Sequence, residues 1–103
     1  MIRVVYRFRV RPGAEQTFVD AWTKLTEAAL ASVPGALGSV LLRDPADLGI
    51  YVAVARWDSR EAWQAFRSPP PLDAALSGVL LDTAEVVSVE PLEEIAVRAP
   101  PAG

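Results

Sequence analysis

Residues 2–10, IRVVYRFRV, alternate with a period of two. Ile2, Val4, Tyr6, Phe8 and Val10 fall on one side; Arg3, Val5, Arg7 and Arg9 fall on the other. Successive side chains of a strand point to opposite faces, so this is the pattern of a β-strand. Pro12-Gly13 ends it. The period then changes. Phe18, Trp22, Leu25, Ala29 and Leu30 recur at helical spacing and predict a helix over 14–33, stopped by Pro34-Gly35. ALGSVLLR, residues 36–43, predicts a second strand, and Asp44-Pro45-Ala46-Asp47 a turn. IYVAVARW, residues 50–57, is the clearest strand in the chain. Asp58 or Ser59 is placed to cap a short helix, with Glu61 near its positive end, and Pro69, Pro70 and Pro71 break that helix. A further helix is expected from about Leu72 to Leu76, closing at Gly78. Residues 83–90 form a valine-rich fourth strand. After Pro91, LEEIAVR reads as a short extra edge strand and APPAG as a frayed tail.

The order β-α-β-β-α-β defines an α+β fold, the ferredoxin-like split arrangement. It puts helices on one face of a four-stranded antiparallel sheet. The expected division is one domain over 1–92, with 93–103 as a short strand or flexible tail. The third strand makes a further demand. Tyr51, Ala53, Ala55 and Trp57 lie on one face, and Ile50, Val52 and Val54 on the other. Both faces are apolar, and the helices cover only one. The same face of a second subunit is the simplest cover for the other, giving a symmetric homodimer; a tolerated exposed patch is the alternative. Arg3, Arg7 and Arg9 share the uncovered face and need partners. Glu85, Glu90 or acids of the other subunit are candidates for an ion-pair network; an anion site is the alternative.

Composition narrows the chemistry. The 103 residues contain no cysteine, so disulfides, thiolate zinc sites and cysteine nucleophiles are excluded. They also contain no histidine, which removes the usual general base at neutral pH and the usual haem or zinc ligand. A net charge of −3 gives no general attraction to nucleic acid or to acidic membranes. No segment has the ~18 apolar residues of a membrane span. The chain starts directly on a strand pattern, without a signal-peptide block, so a soluble, cytoplasmic protein is expected.

VRPG after the first strand, followed by YVAVARWDSREAWQAF, resembles the small antibiotic-biosynthesis monooxygenase family. The resemblance spans about residues 2–90. It implies the dimeric α+β barrel fold, in which the face bearing Tyr51, Ala53, Ala55 and Trp57 looks toward the helices. The haem-degrading branch carries a Trp, a haem-ligating His and a first-strand Asn where this chain has Phe66, Leu76 and Tyr6. Leucine does not ligate iron, so that activity is not expected. In the polyketide-oxygenase branch the strand-end Trp matches Trp57. The helix Tyr matches Trp63, which keeps the ring and loses the phenol. The Asn four residues before the Trp matches Ala53, which loses the amide.

The resemblance implies a cofactor-independent monooxygenase acting on an aromatic, polyketide-like anthrone or hydroquinone with O₂. Such a substrate, once deprotonated, is itself the reductant of O₂ and needs no cofactor. A non-oxidative polyketide cyclase, or a non-catalytic binding or scaffold protein on the same fold, is the alternative. Tyr6, Trp57 and Trp63 are the candidate catalytic residues. Phe8, Trp22, Tyr51, Ala53, Phe66 and Leu76 are candidates for the substrate site, and Arg43 and Arg56 for an acidic substrate group at its mouth. Every one of the aromatic residues also reads as ordinary packing between strand and helix.

Overall fold

In a computed structural model that describes residues 1–102, the chain forms four strands and three helices. In order they are β1 (Ile2–Val10), α1 (Glu15–Ser32), β2 (Ala36–Arg43), β3 (Ile50–Trp57), α2 (Arg60–Arg67), α3 (Ala74–Thr83) and β4 (Ala84–Glu93). The sheet order is β2-β3-β1-β4, and every neighbouring pair is antiparallel. This is the expected ferredoxin-like arrangement.

Register explains the two faces. Tyr6 lies opposite Ala53, Phe8 opposite Tyr51, and Val4 opposite Ala55. These residues, with Ile2, Val10 and Trp57, form the side on which the helices pack; Val4 and Phe18 are fully buried there. The other side carries Val5, Ile50, Val52 and Val54, flanked by Val40 and Leu42 of β2. Val40 is 47% exposed and Leu42 49%, so a single chain leaves this side wet.

Local chemistry sets the helix limits. Ser59, extended in backbone, accepts from the Ala62 amide at 3.1 Å and caps α2. Gly35, in the turn before β2, has φ +87, a left-handed conformation that costs glycine no steric clash. A Cβ there would lie 2.6 Å from both Ala62 Cβ and Asp58 Oδ1, so α2 rests directly on this glycine.

The last helix differs from expectation. It spans Ala74–Thr83 rather than 72–76, and Gly78 lies inside it. Asp73 caps it by accepting from the Leu76 amide at 2.9 Å. Gly78 carries a helix-propensity cost of about 1 kcal/mol, which does not end a helix held on both sides. Leu80 beyond it packs on the core, and the Thr83 hydroxyl closes the last turn by donating to the Val79 and Leu80 carbonyls. β4 likewise begins one residue later than expected and continues through Pro91, which stands opposite Val4. An edge strand tolerates proline because one of its sides has no ladder to satisfy.

The arginine partners also differ. Neither Glu85 nor Glu90 pairs with them. Arg3 Nε donates to Glu94 at 3.1 Å, and Arg56 donates to the same carboxylate through Nε at 2.6 Å and Nη2 at 3.0 Å. Arg9 reaches Asp47 at 3.3 Å. Glu85 stands directly opposite Arg9 in register, yet the longer reach goes to the β2–β3 turn.

The two guanidinium groups, Arg56 first and Arg3 second, lower the Glu94 carboxyl from 4.5 to about 2. A carboxyl lowered by folding contributes stability above its unfolded value and loses it as pH falls through its folded value. Glu94→Gln should therefore have a melting temperature below the parent by a constant margin above pH 4.5, and the margin should shrink toward pH 2. Thermal melts across pH 2–7 check this; a margin independent of pH refutes it.

Candidate active site

Between the sheet and α1 lies a cavity of about 170 Å³. Its floor is the pair Ala53 and Ala55 on β3, where the small side chains leave space, with Tyr6 and Phe8 from β1 beside them. Trp22, Leu25 and Ala29 of α1 form the roof, and Trp57 and Phe66 close one side. The lining is almost wholly apolar and includes no carboxylate. Tyr6, Thr26 and Ser39 supply its side-chain hydroxyls; the Ser39 hydroxyl is already used, donating to the Val54 carbonyl at 3.2 Å.

Trp63 stands behind Tyr6. Its indole Nε1 donates to the Tyr6 hydroxyl at 2.8 Å. Trp63 is buried, and it reaches β1 because the Ser59 cap starts α2 directly after β3 and turns that helix back across the sheet. The bond occupies an acceptor position on Tyr6 Oη and leaves the phenolic proton free for another acceptor. Burial raises the Tyr6 pKa above its ordinary value of 10.0; the Trp63 hydrogen bond, and then the charge of Arg67, oppose the rise. At neutral pH Tyr6 is therefore a neutral donor. The Arg67 guanidinium lies over the Trp63 ring, 4.6 Å from its centroid, a cation–π contact.

The structure brings together most of the residues expected from sequence. Tyr6, Phe8, Trp22, Ala53, Trp57 and Phe66 line the cavity, and Trp63 bonds to one of them. Trp57 and Phe66 pack with centroids 5.2 Å apart. Tyr51 does not reach the cavity: it is buried edge-on against Phe18 at 5.5 Å, two residues along β3 from Ala53. Leu76 and Arg43 are not among its walls. Arg56 adjoins it, but its guanidinium is committed to Glu94. The alternation of β3 puts Arg56 on the opposite face from Trp57, which already argues against a role at the mouth. Sequence reasoning missed Thr26, Ser39 and Arg67. Arg67 had a readable signal, since it lies four residues after Trp63 on one helix face.

The antibiotic biosynthesis monooxygenase family matches residues 1–77, and the chain belongs to that family. No curated protein matches the chain. Among solved structures, SnoaB, a cofactor-independent oxygenase from Streptomyces nogalater, is 25% identical over 98% of this chain and 97% of its own, with a TM-score of 0.74. A conserved protein from Methanosarcina mazei is 20% identical over 90% and 91%, with a TM-score of 0.74. Rv0793 from Mycobacterium tuberculosis is 20% identical over 95% and 98%, again at 0.74. The last two likenesses show the fold alone.

The Trp63–Tyr6 bond is checked by titration. The chain has two tyrosines, so Tyr51→Phe leaves Tyr6 as the only one. In that background Trp63→Phe should move tyrosinate formation to higher pH, because the lost indole N–H stabilised the phenolate. Ultraviolet absorbance against pH reads the midpoint; an unmoved midpoint refutes the bond.

Proposed function

We propose that the protein is a cofactor-independent monooxygenase of an aromatic, polyketide-like anthrone or hydroquinone. One observation carries this reading: a neutral phenol, Tyr6, is held by an indole so that its proton is free at the edge of an apolar cavity. When an anthrone loses a ring-methylene proton, negative charge develops on its oxygen. A fixed donor there stabilises the anion more than the ground state. No carboxylate lines the cavity and the chain has no histidine, so the proton passes to water.

The anion then gives one electron to O₂, and the radical pair closes a carbon–oxygen bond. The resulting peroxide takes up a proton. Loss of water, with the remaining methylene hydrogen, leaves a carbonyl. The balance is CH₂ + O₂ → C=O + H₂O, with substrate carbon oxidised by four electrons and O₂ reduced by four. The apolar walls at Trp22, Trp57 and Phe66 offer the radical pair no polar group to react with, and water meets the substrate only at the open side of the hollow. The 25% likeness to a cofactor-independent oxygenase over nearly the whole of both chains supports the same chemistry.

Ala53 favours a second reading. With no amide at that position, the cavity has one fewer polar contact to steer an oxygenation. A cyclase that stabilises an enolate through Tyr6 uses the same donor without O₂.

The expected result with an anthrone is oxygen uptake matched one to one by quinone formation, with no additive. Tyr6→Phe should lower kcat by about 100-fold with KM little changed, the usual effect of losing one oxyanion donor. Ring closure without oxygen uptake would establish the cyclase instead.

The same reading includes a homodimer. The sheet side bearing Val5, Val40, Leu42, Val52 and Val54 is apolar, half-wet in one chain and rimmed by arginines. A second copy of the same face covers it. Light scattering should give twice the chain mass for the wild type and the single mass for the Val40→Asp/Leu42→Asp variant. A monomeric wild type would rule the dimer out.

A further inference from the structure

A second hollow, a surface cleft of about 310 Å³, adjoins the inner cavity. Leu25 and Phe66 belong to the walls of both, so these two side chains are all that is common to the hollows and form the partition between them. The remaining cleft walls are Pro69, Pro71 and Leu72 on the apolar side, with Arg67 and Ser77 as the polar groups. The inner cavity alone, at about 170 Å³, is smaller than the ~300–1,000 Å³ typical of small-molecule sites. The two hollows together have the necessary size.

Arg67 is the one charged side chain in the cleft. The carboxylates that pair with arginine elsewhere serve Arg3, Arg9 and Arg56; among the described residues none lies within salt-bridge distance of Arg67. Its guanidinium lies over the Trp63 ring. An arginine so placed keeps its edge N–H groups for a planar, bidentate anion such as a carboxylate. The same indole donates to Tyr6 through Nε1 at its edge. One tryptophan thus touches both the cation of the cleft, over its face, and the donor of the cavity.

We infer that the ligand is a flat aromatic acid whose rings extend from the inner cavity past Phe66 into the outer cleft, with its carboxylate held by Arg67. This deepens the proposed function and rests on its assignment of the cavity as the substrate site. Phe66 is only half-buried, and this placement requires its ring to turn away from Trp57 so that the hollows join. The apolar walls at Pro69, Pro71 and Leu72 suit a ring face, and the cavity's one cation, Arg56, is already paired with Glu94.

Two redox-inert probes test the inference by binding rather than turnover: anthraquinone-2-carboxylate and the neutral 2-(hydroxymethyl)anthraquinone. Quenching of tryptophan fluorescence gives Kd for each. The wild type should bind the carboxylate about fivefold more tightly, the upper range of a solvent-accessible ion pair, and added salt should erode the difference. Arg67→Gln should abolish the preference while binding the neutral probe about as before. Arg67→Lys, which keeps the charge at the helix terminus but not the planar fork, should retain only part of it. Equal affinities in the wild type, or a preference that survives in Arg67→Gln, overturn the inference. If neither probe binds, both this inference and the cavity assignment fail. If the carboxylate is preferred but the corresponding anthrone acid consumes no oxygen, the anion site stands and the oxygenase reading falls.

Discussion

The hydrogen bond from the Trp63 indole to the Tyr6 phenol crosses the gap between α2 and the centre of the sheet. It satisfies two polar groups that burial would otherwise penalise by roughly 1–3 kcal/mol each. It also ties the short helix α2 to β1, a strand with neighbours on both sides. Much of the local arrangement follows from that tie. Phe66, one turn along α2, is brought against Trp57. Arg67 is brought over the indole. The space between sheet and α1 remains open because the residues beneath it, Ala53 and Ala55, are too small to fill it.

Burial and function are coupled through the same bond. An isolated phenol in an apolar wall is a poor donor to aim, because its hydroxyl rotates. With the indole N–H on one lone pair, the remaining directions of Tyr6 are fewer, and its proton is disposed toward whatever acceptor enters the cavity. The rise in its pKa is therefore compatible with its proposed part: the group has to stay protonated to donate. Trp63 thus acts through Tyr6, and Arg67 touches the same indole from outside. One flat ring joins a half-buried hydroxyl to an exposed cation.

Much of this was legible in the sequence. The period-two runs at 2–10 and 50–57 located both central strands and separated their two faces, because side-chain alternation in a strand has no slack. The breaks at Pro12-Gly13, Pro34-Gly35 and Pro69–Pro71 bounded α1 and α2 for local steric reasons. What failed was decided by longer-range contacts. Gly78 looked like a terminator, and the packing of Leu80 carried the helix past it. Glu85 and Glu90, on the fourth strand, looked like partners of Arg3, Arg7 and Arg9, yet Glu94, beyond the end of the strand, took Arg3 together with Arg56. Tyr51 has the parity of a cavity residue and lies one step too far along β3, beside Phe18. Parity tells which face a side chain occupies and says nothing of how far along that face the helices leave room.

Gly35 limits how this site is able to change. With no space for even a methyl group between it and the Ala62 and Asp58 side chains, the near end of α2 is already at its closest approach to the turn before β2. A larger residue there has to push Ala62 and Asp58 aside, and the start of α2 with them. The hollow is free to widen or narrow only at the opposite end, through the side chains at positions 25, 53, 55 and 66. Its dimensions are thus anchored on one side by a residue that is not among its walls.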